Sequence, residues 1–330
     1  MTALALFLLL LVIVISSLVG FTAYTARRVE ALVPARGQFL ELDGHRIHVV
    51  DVGAGPPLFL IHGLGGQLRN FTCALVACLS NEFRVIAVDR PGSGYSSRAA
   101  GADARLRAQA EIMAKVIGRL NLGRPLVVGH SLGGAISLAI ALDHPECASA
   151  FALIAPVTQV VATTPAPFRG LDIKSRLLRW IIAWTLATPL GIRNADEILE
   201  QVFAPEKAPA DFATMGGGAL GLRPNAFYAT STDLEAVNDG FAEMIRRYPT
   251  LAVPVGILFG WGDQLLDPRA HGQATKDQIP GLYLELIEGG HMLPVTAPDA
   301  VANFIRLMAR SAADAGSAKT GAGEGNRTLV

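Results

Sequence analysis

The hydrophobic pattern divides the chain into three kinds of stretch. Residues 3–24 carry no charge, and their centre reads Leu6-Phe7-Leu8-Leu9-Leu10-Leu11-Val12-Ile13-Val14-Ile15. About 20 such residues are enough for a helix that crosses a bilayer. From Gln38 the pattern changes to short apolar runs at 39–42, 47–50, 58–61, 84–88, 126–128 and 150–154. The first two flank Asp43-Gly44, a strong hairpin signal. The later runs are continuous rather than alternating, as expected for strands covered on both faces. Helical patterns at 68–79, 103–120 and 132–143 lie between them. Strand and helix in alternation predict a mostly parallel sheet with helices on both sides.

The rhythm breaks after Pro156. Up to Thr250 there is no clear strand, only helical pieces punctuated by prolines and glycines. Strand patterns return at 254–259 and 282–287, and an amphipathic helix follows over 298–309. The sheet is therefore expected to carry a helical insertion of roughly ninety residues, too long for a plain loop. The expected organisation is an anchor at 1–25, a sheet domain at 26–155 and 251–310, the insertion at 156–250, and a tail at 311–330. The tail is rich in Ala, Gly and Ser and reads as disordered. Its Asn326-Arg327-Thr328 matches a glycosylation sequon, for which chance is the default reading.

Composition narrows the function. The chain has 330 residues, 51% of them apolar and 17% charged, with 28 basic against 28 acidic side chains. No global field steers it toward nucleic acid, and no nucleic-acid partner is expected. Cys73, Cys78 and Cys147 are an odd, sparse set that suggests neither a disulfide framework nor a zinc site. The apolar N-terminal run could also open a secretory signal peptide. No basic residue precedes it and no Ala-x-Ala-like cleavage site follows, which favours an uncleaved membrane anchor. Arg27, Arg28 and Arg36 follow the run and place the downstream domain on the cytoplasmic side by the positive-inside rule.

The candidate chemistry centres on Gly129-His130-Ser131-Leu132-Gly133, preceded by a strand pattern and followed by a helical one. A serine on such a sharp turn exposes its hydroxyl above the sheet, and the helix that starts there aims unpaired N–H groups at a developing oxyanion. A serine needs a base to take its proton and a carboxylate to orient that base. Downstream, Gly260-Trp261-Gly262-Asp263 and Gly289-Gly290-His291 each follow a strand pattern and offer the acid and the base. Asp267 is a rival acid, but it precedes Pro268 and reads as a turn or helix-start residue. Two oxyanion donors are expected: the N–H of Leu132 and, from His62-Gly63-Leu64-Gly65-Gly66, the N–H of Leu64. In Asp89-Arg90-Pro91-Gly92-Ser93-Gly94-Tyr95-Ser96, Asp89 is expected to bond backbone amides in a tight turn.

Together these motifs resemble the α/β-hydrolase superfamily, from about Gln38 to Ala309. The resemblance implies an eight-stranded, mostly parallel sheet with a helical cap inserted after the sixth strand, and no metal or organic cofactor. It implies Ser131 as nucleophile, His291 as base and Asp263 as its orienting acid. Branches of the superfamily with an aspartate nucleophile are disfavoured by Ser131.

The expected activity is that of a membrane-anchored serine hydrolase of carboxylic esters, with a small-molecule and lipid-like ester as partner. Carbon–carbon bond hydrolysis, acyl transfer and non-catalytic ligand binding are the alternatives. Within the insertion, 174–188 carries Lys174, Arg176, Arg179, Trp180 and Trp184 on an otherwise mostly apolar stretch. It reads either as a cap helix packed over an acyl pocket or as a helix in the headgroup region with Arg176 and Arg179 reaching phosphates.

Overall fold

The computed structural model describes residues 2–324. A long helix, α1 (Ala3–Leu32), leads into β1 (Gln38–Leu42), β2 (His45–Val52) and β3 (Pro57–Ile61). Two short helices, α2 (Arg69–Thr72) and α3 (Leu75–Leu79), precede β4 (Arg84–Val88). Then come α4 (Leu106–Arg119), β5 (Leu126–His130), α5 (Leu132–Asp143) and β6 (Ala150–Ile154). The cap follows, with α6 (Arg176–Trp184), α7 (Ala187–Arg193), α8 (Ala195–Phe203), α9 (Pro224–Ala236) and α10 (Phe241–Arg247). The chain returns to the sheet with β7 (Val255–Gly260), α11 (Ala274–Lys276), β8 (Tyr283–Ile287), α12 (Leu293–Thr296) and α13 (Pro298–Glu324).

The sheet has eight strands in the order β1-β2-β4-β3-β5-β6-β7-β8. Only the β1–β2 and β2–β4 pairings are antiparallel. The β1–β2 register pairs Leu42 with His45, so Asp43-Gly44 is a two-residue turn. Both turn residues have positive φ (50° and 77°), the combination a type I′ hairpin requires. The apolar runs are continuous because alternate residues serve two cores. Phe59, Ile61, Ile86, Val88 and Val127 face α4 and α5, whereas Leu58, Leu60, Val85, Ala87 and Val128 face α3 and α13. α5 is buried from Leu132 to Ala141, which explains why it is apolar all round.

Four local expectations change. The single helix over 68–79 is two helices, because Ala74 (φ −146°, ψ −58°) breaks the helical path. The stretch 174–188 is also divided, with α6 ending at Trp184 and α7 beginning at Ala187. α1 continues past residue 25 to Leu32. The tail taken as disordered is helical as far as Glu324. Its alanines, read as low complexity, are the strongest helix formers, and Ala312 still packs on the core. Residues 325–330, with the Asn326 sequon, lie outside the described residues.

Candidate active site

The C-terminal ends of the parallel strands gather the candidate residues. β3 and β5 are neighbours in the sheet, yet the chain leaves β3 toward β4 on one side and leaves β5 toward β6 on the other. A crevice forms at such a switch point. Gly63 and Leu64 follow β3 there, and Ser131 follows β5. Asp263 and His291 come from the loops after β7 and β8.

Ser131 stands between strand and helix at φ 53°, ψ −119°, a strained conformation for a residue with a Cβ. Its backbone is held there by bonds from Ser131 N to the Ile154 carbonyl (3.0 Å) and from Val157 N to the Ser131 carbonyl (3.0 Å). The turn closes only because Gly129 and Gly133 lack side chains. A Cβ at Gly129 would strike the Gly133 carbonyl and the Ser137 hydroxyl, and one at Gly133 would strike the Ile61 carbonyl. Leu132 is the first residue of α5, so its N–H has no acceptor within the helix. The loop after β3 lies against this turn, since a Cβ on Gly63 would come within 2.8 Å of the Ser131 Cβ. Ser131, Leu132, Leu64 and His291 line one small cavity of about 50 Å³. Val157, Val161, Pro165 and Phe168 from the segment after β6, Leu234 and Val237 from the α9 region, and Leu265 and Leu266 complete its apolar wall.

His291 Nδ1 meets Asp263 Oδ2 at 2.7 Å. The other carboxylate oxygen of Asp263 accepts the N–H groups of Leu265 and Leu266, both at 2.9 Å. Burial works to raise the Asp263 pKa, but His291 and these two N–H donors outweigh it and hold the carboxyl below its ordinary range. Asp263 is thus an acceptor on three sides, which fixes the proton of His291 on Nδ1 and leaves Nε2 free to take another. Asp267, the rival acid, is exposed and accepts the N–H of Arg269 instead.

Three further groups, His130, His62 and Arg90, lie inside the motifs named above, but the sequence assigns them no role of their own. His130 is buried beside His291, with ring centroids 5.0 Å apart and its Nε2 bonded to the His291 carbonyl (3.0 Å). Burial and then the neighbouring His291 push the His130 pKa down to about 3, so it stays neutral. His62 is held to about 3 by burial and then by Arg90. Its Nε2 accepts the Arg90 N–H and its Nδ1 donates to the Gly63 carbonyl. The buried Arg90 guanidinium donates to the carbonyls of His62 and Gly63 (both 3.0 Å), to Gln109 (2.7 Å) and to Asp233 in α9 (2.6 Å). Arg98 is the second ion-pair partner of Asp233. The cap reaches the opposite flank through Glu206, whose carboxylate accepts the Gly290 N–H beside His291 (3.0 Å). Asp89 does bond backbone amides, those of Leu68 and Tyr95, and it also holds His48 at 2.7 Å.

Arg179 does not point outward. It is buried against α9, donating to Ser231 (2.9 Å), Thr232 (2.9 Å) and Glu235 (2.7 Å), which removes it as a phosphate contact.

Known proteins share this arrangement of strands and sequence. Residues 56–190 match the model of the alpha/beta hydrolase fold family. A proposed carbamate hydrolase, RutD, of Pantoea ananatis (strain LMG 20103) is 30% identical over 244 residues, covering 73% of this chain and 83% of its own length. The chain belongs to the α/β-hydrolase fold family. The magnesium-chelatase 30 kDa subunit of Rhodobacter capsulatus is 29% identical to this hydrolase, with 78% of this chain and 88% of that one aligned. A thermophilic esterase from Thermogutta terrifontis has the same fold, with a TM-score of 0.69 at 20% identity over 84% of this chain and 99% of its own.

Proposed function

We propose that this hydrolase cleaves carboxylic esters with an apolar acyl group, through an acyl-enzyme on Ser131, while α1 tethers it to a membrane. The observation that carries this reading is the Asp263–His291 pair opening onto the cavity that also holds the strained Ser131. The Ser131 hydroxyl attacks the ester carbonyl and gives its proton to His291 Nε2. The oxyanion of the tetrahedral intermediate is met by the N–H groups of Leu64 and Leu132. When the intermediate collapses, His291 returns the proton to the leaving alkoxide and the alcohol departs. Water then attacks the acyl-enzyme with His291 again as base, releasing the acid and restoring the serine. Asp263 stays ionised throughout and stabilises the imidazolium.

Among the described residues that line it, the cavity wall has no Asp, Glu, Lys or Arg side chain, which suits a hydrocarbon acyl chain. At about 50 Å³ it holds only a few atoms, so a long chain enters by displacing Phe168 and its neighbours on the segment after β6.

α1 is long and apolar enough to cross a bilayer, as a signal sequence also would be. What supports a retained anchor is that its second half is fastened to the body. Val29 and Val33 are buried, Glu30 pairs with Arg223 (3.2 Å), and Tyr95 donates to the Val33 carbonyl (2.5 Å). The exposed Arg27 and Arg28 favour a cytoplasmic body.

Labelling with a fluorophosphonate probe tests the chemistry. The wild type should label, and Ser131→Ala and His291→Ala should not. A folded wild type that stays unlabelled overturns the reading. A screen of esters by acyl length, with carbamates as a parallel arm because of the RutD relative, then ranks the substrates. Product analysis with and without an alcohol acceptor separates hydrolysis from acyl transfer.

A further inference from the structure

The outer face of the cap's first two helices carries side chains of a kind normally found in a core. Leu177, Leu178, Trp180 and Ile181 of α6 are exposed (68%, 48%, 55% and 42%), and so are Leu190 and Ile192 of α7 and Leu186 between them. Single exposed apolar residues are ordinary, but a contiguous set on two successive helices marks an interaction surface. Lys174, Arg176 and Arg193, also exposed, stand at its ends.

The position of α1 identifies what covers this face. α1 packs against α6, α7 and the short helical turn Gly218–Leu222. The packed side of α1 can be read from its burial: Leu18 and Val19 are half-buried, Thr22 is buried, Thr25 and Ala26 are half-buried, and Val29 is buried. That is one helix face, and it starts at Leu18. The free part, 3–17, is therefore only about 22 Å long at 1.5 Å per residue. A hydrocarbon core of about 30 Å needs a turn and a half more. Of those extra residues, Leu18 to Thr22, three (Leu18, Val19 and Thr22) are on the packed side. A spanning α1 thus draws the cap surface beside it down to the lipid boundary, and the surface found there is apolar with basic ends.

We infer that the exposed face of α6 and α7 seats in the headgroup and upper acyl region of the same bilayer that α1 crosses. This rests on the anchored-hydrolase reading and deepens it by naming the substrate class: amphiphilic acyl esters resident in the bilayer. The route inward is short. α6 packs on α9, joined to it through Arg179, and Leu234 of α9 lines the cavity at Ser131.

The test uses the full-length chain reconstituted in phosphatidylcholine–phosphatidylglycerol vesicles. Trp184→Phe and Trp261→Phe leave Trp180 as the single tryptophan. Brominated acyl chains should quench Trp180 emission by more than half, and aqueous iodide should leave it nearly unchanged. In parallel, the Leu177→Glu/Ile181→Glu variant should lose at least tenfold in activity on a vesicle-embedded fluorogenic ester, with hydrolysis of a soluble short-chain ester unchanged. Trp180 quenched by iodide and not by bromolipid overturns the inference. So does a Trp180 shielded from both quenchers that cross-links to a second copy. Bromolipid quenching in a chain that takes no fluorophosphonate would uphold the lipid surface while removing the serine-hydrolase reading.

Discussion

On the sheet side of the cleft, His62, Arg90, Asp263 and His291 are buried and held by hydrogen bonds to backbone and to one another. On the cap side, Val161, Pro165, Phe168, Leu234 and Val237 offer the cavity only apolar surface, while α6 turns Leu177 and Trp180 out into the open. The sheet side spends its polar groups on fixing a few atoms, as an oxyanion site must when it works by preorganised donors. The cap braces that side through Glu206 and Asp233, but it presents no polar group to the cavity itself. Its apolar surfaces select by shape and solvent rather than by directional bonds. The difference teaches that damage to the two sides should look different: lost chemistry on one, altered access and choice on the other.

The sharpest way to break that division is at Ser131, the proposed nucleophile. Ser131→Ala should reduce ester hydrolysis by about 10⁴-fold or more, with a melting temperature close to wild type. Steady-state kinetics alongside thermal melts check both halves. Asp263→Asn should follow at about 10³–10⁴-fold in kcat, since an amide presents the wrong partner to His291 Nδ1. An equal activity loss from any cap substitution away from the cavity would undo the comparison.

Asp233→Ala asks the opposite question, because Asp233 belongs to the cap but pairs with two core arginines. Leaving Arg90 buried without its carboxylate should cost about 3–5 kcal/mol of stability, read by urea unfolding. The fluorophosphonate labelling rate should fall with it, because Arg90 also holds the His62 and Gly63 carbonyls beside the loop proposed to bind the oxyanion.

Acid stability probes the sheet side alone. His62 and His130 titrate at about 3 in the folded chain and His271 at about 4, each lowered chiefly by burial from an ordinary 6.5. Below pH 6.5 the unfolded chain therefore binds more protons than the folded one. The stability these groups provide is fully present above 6.5 and is lost as pH falls, by up to about 1.4 kcal/mol per pH unit for each histidine. Melts between pH 7.5 and 4.5 should show the decline, and His130→Gln should flatten it. The smallest effect belongs to the cap wall. Leu234→Ala should shift the preferred acyl chain by one or two carbons, a change of roughly tenfold or less in relative kcat/KM.

What the sequence disclosed follows the same division. The strands of the sheet and the turn around Ser131 are written locally, in apolar runs and in glycines spaced by the geometry of one turn. The sites of Asp263 and His291 could be read because each follows its own strand by a few residues. The cap could be counted as helices but not assembled. Nothing near Arg90 announces Asp233, and nothing near Gly290 announces Glu206, since each pair meets only when distant segments fold together. Arg179 admits two readings in the sequence for a related reason. A basic residue among leucines and tryptophans reads as a lipid contact until Ser231, Thr232 and Glu235 are seen to surround it.

α1 contains no proline, and its end is clasped by the body: Tyr95 holds the Val33 carbonyl, Arg69 the Pro34 carbonyl and His48 the Arg36 carbonyl. A helix joined in this way passes on orientation as well as attachment. A body on a slack tether would meet its substrate at random angles and draw it from bulk solution. With α1 in a bilayer, the clasp would present the same side of the molecule to the surface at every encounter. The search for substrate would then run in two dimensions, and turnover would follow the ester's mole fraction in the membrane rather than its concentration in the tube.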